Sequence, residues 1–487
     1  MSEYRTPGIY LVEKNAFPNS VVEVATAIPV FIGYTEKVEY KSQSLLNKPY
    51  RITSFAEFSK IFGGAPKTKF TLDDSGKALT DSILGDSANL SKRFRLYDSM
   101  RMFFQNGGST CYILSVGSYT DSIEENKLKD AITLLEKEQE PTLVLVPEAV
   151  CLSDASACAS VQNAVLSHCN KMQNRFAILD IYNGFEEFSA KENEKTVATF
   201  RKKINNYLNY GAAYYPWLNA SVVTADEVTF QAITNKDKLK ALIDESVNSD
   251  EIASWTERMV ACKEDDEDET IDIHNALKTA VPKYSEILEL VRKELNLMPP
   301  SAAMAGIYAA VDSTSGVWKA PANVGINGVV TPAIDLTDSD QEELNIPLDG
   351  KSVNAIRSFI GSGIKVWGAR TLNGNSQDWR YVNVRRTLIM IEESLRQASK
   401  AYVFEPNTLN TWVTMKSMFN NFLTNVWKRG GLAGASPEDA FEVYVGLNET
   451  MTADDILDGV LRITVKVALS RPAEFIEITF QQQQQKS

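Results

Sequence analysis

The sequence predicts an α+β fold with an α/β layer: a mixed sheet in a multi-domain chain, with extended strand arms at the N- and C-terminal ends. Three observations predict it. Between residues 118 and 300 short apolar runs alternate with helical stretches, the order of a partly parallel sheet covered by helices. The C-terminal region carries two helical apolar stripes and then period-two alternation. Residues 1–25 hold one short apolar run, Ile9-Tyr10-Leu11-Val12, outside anything that reads as a core.

In chain order, Thr6-Pro7-Gly8 is a turn or polyproline element, and polar Glu13-Lys14-Asn15 closes the run after it, so the N-terminus reads as an arm with one strand. Val21–Tyr34 is rich in β-branched and aromatic residues and predicts a buried strand ending at Gly33. Phe55, Phe58 and Phe62 recur at helical spacing behind Thr53 or Ser54 as N-cap, and Gly63-Gly64 ends that helix. Asn106-Gly107-Gly108 turns a second helix into a strand over Cys111–Val116. Further strands are expected at Thr142–Val146, Phe176–Ile181 and Ala212–Tyr215, with a helix over Lys191–Asn209. The acid run Lys263–Glu269 reads as a solvated loop, because it lacks the glycine and alternating oxygen ligands of a calcium loop, and Pro299-Pro300 marks a junction. Val384, Leu388, Ile391, Leu395, Ala398 and Tyr402 form a stripe on a long helix that Pro406 stops. A second helix carries Trp412, Met415, Phe419, Phe422, Leu423 and Val426 on one face and ends in Lys428-Arg429-Gly430-Gly431. Leu461, Ile463, Val465 and Val467 alternate with polar residues, and Glu474–Phe480 repeats that alternation after Pro472.

Composition excludes several classes of function. With 487 residues, 44% hydrophobic and 23% charged, the chain is built to fold into substantial cores. Fifty Lys plus Arg against 63 Asp plus Glu leave a formal charge of −13, which opposes nucleic-acid binding and adsorption to anionic lipid. Met1–Glu13 lacks the pattern of a secretory signal, and no apolar run reaches bilayer-spanning length, so synthesis and assembly in a cytoplasm without membrane insertion are expected. Five irregularly spaced cysteines suit reduced, buried thiols.

Catalytic signatures are missing as well. Only His168 and His274 supply imidazoles, there is no Gly-x-Ser-x-Gly elbow, and His168-Cys169 with Cys151 and Cys158 lacks zinc-ligand spacing. Neither a phosphate-cradling lysine loop nor a dinucleotide glycine pattern is present. No catalytic, cofactor or metal residue is therefore assigned, and no enzyme activity is expected. A strand in an arm outside a core cannot satisfy its own backbone groups. It either adds to the sheet of a neighbouring copy, which propagates head to tail, or folds back on its own C-terminal strands.

The order of motifs resembles one family. Thr6-Pro7-Gly8-Ile9-Tyr10-Leu11-Val12-Glu13, Phe103–Gly108, Tyr214-Tyr215-Pro216-Trp217, Pro300–Gly306, Gly316–Asn323, Val366-Trp367-Gly368-Ala369-Arg370-Thr371 and Arg471-Pro472-Ala473-Glu474-Phe475-Ile476 are similar in sequence and order to contractile tail sheath proteins of phages and phage-like injection systems. The resemblance implies a structural subunit that stacks as hexameric rings in a helical polymer around an inner tube protein. Baseplate and terminal cap proteins bound the stack, which contracts to drive the tube through a target envelope. It implies a location in a phage tail or a released phage-tail-like particle.

The resemblance also implies inter-subunit arm strands at Gly8, Ile9, Tyr10, Leu11, Val12 and Glu13 and at Glu474, Phe475, Ile476, Ile478 and Phe480. The expected organisation is an arm over 1–25, a core part over 26–117, and an outward-facing α/β region with the acidic loop over 118–300. A return to the core over 301–365 and a tube-proximal domain with the C-terminal arm over 366–487 complete it. Candidate tube contacts are the acidic turn with Asp454, Asp455 and Asp458, or the basic pair Lys428 and Arg429. An α/β enzyme with a carboxylate or metal site and another tail or baseplate assembly protein are the competing readings.

Overall fold

The computed structural model describes residues 21–72, 93–187, 196–247 and 249–478. Gly8, Ile9, Tyr10, Leu11, Val12, Glu13 and Phe480 lie outside the described residues, as do 191–195 at the start of the expected helix. The described residues divide into two units, a smaller one made of 21–24 and 387–470 and a larger one made of the described residues within 25–386 together with 471–478.

The larger unit is organised on a nine-stranded sheet. In chain order its strands are β1 (Pro29–Thr35), β2 (Tyr50–Ile52), β3 (Cys111–Ser118), β4 (Leu143–Leu145), β5 (Phe176–Asp180), β6 (Gly211–Tyr215), β7 (Val324–Gly325), β8 (Asn354–Phe359) and β9 (Gly363–Val366). Across the sheet they lie in the order β7-β9-β8-β6-β5-β4-β1-β3-β2. The interior pairs from β8 to β3 are parallel, and the pairs at both margins are antiparallel. Parallel strands are covered on both faces, so β1, β4, β5 and β6 are buried along their whole length and read as continuous apolar runs.

The strand expected to end at Gly33 runs through it to Thr35 and starts only at Pro29. Gly33 pairs with Ser115 of β3 inside the strand, and a Cβ there would overlap the carboxyl of Glu148. The helix over Phe55–Phe62 starts at Ser54, whose hydroxyl accepts from the Glu57 N–H at 3.2 Å, and ends at Gly63. The helix Leu96–Gln105 packs on the helix Ser301–Ser315 closely enough that a side chain at Gly306 would overlap the Phe103 carbonyl.

Two local expectations need correction. The stretch 191–209 is helical only over Thr196–Lys203 among its described residues, with a short 3₁₀ turn at Leu208–Tyr210. The acid run is a loop only as far as Asp266. There it becomes the start of the helix Glu267–Ala280, with the Asp266 carboxylate accepting from the Glu269 N–H and three acids in the first turn. Negative charge at the positive end of the helix dipole favours this outcome, which a reading for solvation alone misses. That helix is one of four, with Lys236–Ser246, Asp250–Ala261 and Pro282–Leu295, that replace the strand–helix alternation after β6.

In the smaller unit the helix Leu409–Lys428 buries Trp412, Met415, Phe419, Phe422, Leu423 and Val426, the whole of the expected stripe. Its end is followed by Gly430 at φ 87°, in the left-handed region that glycine enters without a Cβ penalty. Strands β10 (Phe441–Tyr444) and β11 (Thr464–Val467) pair antiparallel, and Trp412, Val445 and Met451 form a local core against Ile456, Leu461 and Ile463. All five cysteines are free and buried. His168 lies 2.8 Å from the Arg175 guanidinium and His274 lies 2.9 Å from the Tyr284 hydroxyl, so both imidazoles are packing partners.

Candidate subunit connector

The described part of the C-terminal arm, Arg471–Ile478, is neither helix nor strand, and among the described residues no backbone–backbone hydrogen bond ties it to the rest of the chain. Its side chains split into two groups. Phe475, Ile476 and Ile478 are 71%, 78% and 68% exposed, an unusual state for three large apolar residues within four positions. Glu474 is held from three sides. Its carboxylate accepts from Arg370 Nη2 at 2.7 Å and Nε at 2.9 Å, from Asn345 Nδ2 at 2.8 Å and from the Tyr381 hydroxyl at 2.9 Å.

The sheet prepares that seat. Asn354, the first residue of β8, accepts from the Arg370 N–H through Oδ1 at 2.7 Å and donates from Nδ2 to the Arg370 carbonyl at 2.8 Å. Arg370 is thereby fixed at both sides of its own backbone, with its guanidinium almost fully buried and aimed at the arm. Burial works against charge on Glu474, but the bonds from Arg370, Asn345 and Tyr381 outweigh it and hold the carboxyl below its usual value. The two motifs Trp367–Thr371 and Arg471–Ile476, separated by about a hundred residues, thus meet in one ion pair.

In the smaller unit β10 and β11 form a two-stranded sheet whose outer edges pair with no other strand among the described residues. Two strands alone are marginal in water, and an open edge is a template for another strand. The start of the described chain joins this unit, with the Val24 N–H donating to Ser394 Oγ at 3.1 Å and Glu23 paired with Arg429.

The candidate tube contacts separate by what they already bind. Asp455 completes a capping box with Thr452 and pairs with Arg462 at 3.0 Å. Its backbone and hydroxyl bonds from Thr452 and the Arg462 bond hold its carboxyl down at about 2. Arg429 is engaged by Glu23. Asp454, Asp458 and Lys428 are exposed and make no ion pair among the described residues. No described group of three or more His, Cys, Asp and Glu could hold a metal ion, and no described helix is long and apolar enough to cross a membrane.

The phage tail sheath protein central domain matches residues 121–372, and the phage tail sheath C-terminal domain matches 375–483. The chain belongs to the phage tail sheath protein family. Among curated relatives, the tail sheath protein of Burkholderia phage BcepMu is 32% identical over 143 residues. That match covers 28% of this chain and 30% of the relative, so this sheath chain spans less than a third of that protein's length in the alignment. Among solved structures, the sheath complex of an extracellular contractile injection system, PVC, in its contracted state is 26% identical with a TM-score of 0.62, covering 99% of both chains. A chain of the anti-feeding prophage (AFP) baseplate, sixfold symmetrised, is 25% identical with a TM-score of 0.60, covering 99% of this chain and 100% of that one.

Within the sheath chain, the sequence alone presents Glu474 as one strand residue among several. Its partners Arg370, Asn345 and Tyr381 are invisible to local sequence rules, because each lies more than ninety residues away along the chain and no local period links them. The signal that existed was the presence of Arg370 and Glu474 in two separate motifs.

Proposed function

We propose that this chain is the subunit of a contractile sheath, stacking as hexameric rings around an inner tube and shortening to drive that tube through a target envelope. The observation that carries the reading is the end-to-end likeness, over 99% of both chains, to a sheath complex in its contracted state. The likeness to a sixfold-symmetrised baseplate chain supports rings of six and a baseplate at one end of the stack. The subunit acts as a mechanical part and catalyses no reaction. Its work is the free-energy difference between two packings of the same subunits, released once and summed over the lattice.

Strand exchange holds the lattice together in this reading. The open edges of β10 and β11 receive the terminal arms of neighbouring copies, Gly8–Glu13 from one and Phe475, Ile476 and Ile478 from another. Each backbone bond formed contributes about 0.5–1.5 kcal/mol net, and alternate side chains set register. Exposed Asp454 and Asp458 face a basic tube surface, with a bond weak enough to release on contraction.

Electron microscopy of the purified subunit tests the reading. Tubular polymers with hexagonal end-on views are expected, and deletion of residues 2–15 should leave a folded subunit that forms no tubes. Small discrete oligomers at high concentration, or unchanged tubes after the deletion, would overturn it.

A further inference from the structure

We propose that Glu474 is the latch of the C-terminal arm: its carboxylate, seated on Arg370, Asn345 and Tyr381, fixes the point at which the arm leaves the larger unit and passes pull from the arm into the nine-stranded sheet. The inference rests on the reading that the arm pairs with a second copy of this chain.

Its physical basis is the contrast within eight residues. Before and after Glu474, the segment Arg471–Ile478 makes no backbone hydrogen bond to its own chain among the described residues, and Phe475, Ile476 and Ile478 stand in solvent. All of the side-chain hydrogen bonds described for the segment converge on one carboxylate. An extended segment held at one point is free to swing beyond that point and fixed before it. The length of arm that reaches a neighbour is therefore counted from Glu474.

The seat also continues into rigid structure. Arg370 is clamped by Asn354 at the head of β8, and Asn354 Nδ2 reaches the Ala213 carbonyl in β6 at 3.2 Å. Asn345, at the end of the helix Asp338–Asn345, accepts from Arg370 Nη1 through its carbonyl at 3.2 Å while its amide holds Glu474. Tension on the arm thus has a path from a bidentate ion pair through two asparagines into paired strands. Bidentate geometry resists rotation as well as extension, which a single lysine contact would not do.

The test uses the full-length subunit: anisotropy is read on protein carrying a fluorescent label at Ile478→Cys, the native thiols being buried, and tube yield is read on unlabelled protein that keeps Ile478. Glu474→Ala should lower the label's anisotropy and reduce the yield of tubes by about tenfold or more, since it removes several charge-assisted bonds at once. Because it also strands the buried Arg370 guanidinium, the melting temperature is measured alongside and tube yield is scored on folded subunit. Glu474→Gln, which keeps an acceptor but loses the charge, should fall between Glu474→Ala and the wild type. Unchanged anisotropy and unchanged tubes in Glu474→Ala overturn the latch. Truncation of 475–487 separates the two ideas. If truncation abolishes tubes while Glu474→Ala does not, the latch fails and strand exchange stands; if truncated subunits form normal tubes, strand exchange by this arm fails and the latch fails with it.

Discussion

Arg386 and Asp312 meet in a two-pronged buried ion pair, Nη2 to Oδ2 at 2.6 Å and Nη1 to Oδ1 at 3.0 Å, with both side chains almost fully withdrawn from solvent. Around them Thr26 closes the group, its hydroxyl on Asp312 at 2.5 Å and its carbonyl accepting from Arg386, while the guanidinium lies over the Tyr308 ring. A charge pair this dry contributes little relative to an apolar pair of the same volume, but each partner depends on the other.

Asp312→Ala should therefore destabilise the larger unit by about 3–5 kcal/mol, because it strands a buried guanidinium. The double replacement Arg386→Met with Asp312→Leu should cost far less. Urea unfolding of the three proteins checks this, and equal losses in the single and double variants would contradict it.

The carboxyl of Glu148 accepts from the Leu96 N–H at 3.0 Å, and burial pushes its pKa up to about 7 even though backbone bonds pull the other way. The folded state then binds the proton more tightly than the unfolded chain. Its contribution to stability is complete below about pH 4.5 and is lost as the pH rises through about 7, a change of about 3 kcal/mol. Glu148→Gln keeps the acceptor for Leu96 and should flatten that part of the stability profile. Asp98 and Asp180, both raised to about 6 by burial, leave a residual slope of the same sign. A profile identical to wild type would exclude Glu148 as its source.

Gly33→Ala should cost about 1–3 kcal/mol by overpacking, since the new methyl meets the Glu148 carboxyl inside a buried strand. Combined with Glu148→Ala it should cost measurably less than the sum of the two single changes, and strict additivity would argue against their contact.

Among the acidic residues around 452–458, position separates structural from surface roles. Thr452→Ala removes a helix cap and should cost about 1 kcal/mol. Asp454→Lys with Asp458→Lys should leave stability within about 0.5 kcal/mol while reducing co-sedimentation with tube protein. Normal tube binding by the double reversal would remove these residues from the proposed tube contact.

Local rules made much of the fold legible. Phe55, Phe58 and Phe62 behind Ser54, and the stripe from Trp412 to Val426 ahead of Gly430, carry their periods and caps within a few residues, and both helices form where those signals stand. Strands β3 to β6 are legible as short apolar runs because a parallel sheet buries both faces. What was hidden depended on distant partners or on competing local forces. Gly33 stays within a strand because it pairs with Ser115 of β3, its missing Cβ leaves room for Glu148 more than a hundred residues away, and the acids at 267–269 begin a helix because its dipole favours them there. The seat of Glu474 was hidden for the first of these reasons.

The five buried thiols have a consequence for the proposed assembly. Burial raises the pKa of Cys169 to about 12 and raises those of Cys111, Cys151 and Cys158 as well, so at neutral pH these four are almost wholly protonated and shielded from oxidants. In the proposed stack, these four thiols would not weld one ring to the next during storage in air, and the seams would stay unsoldered.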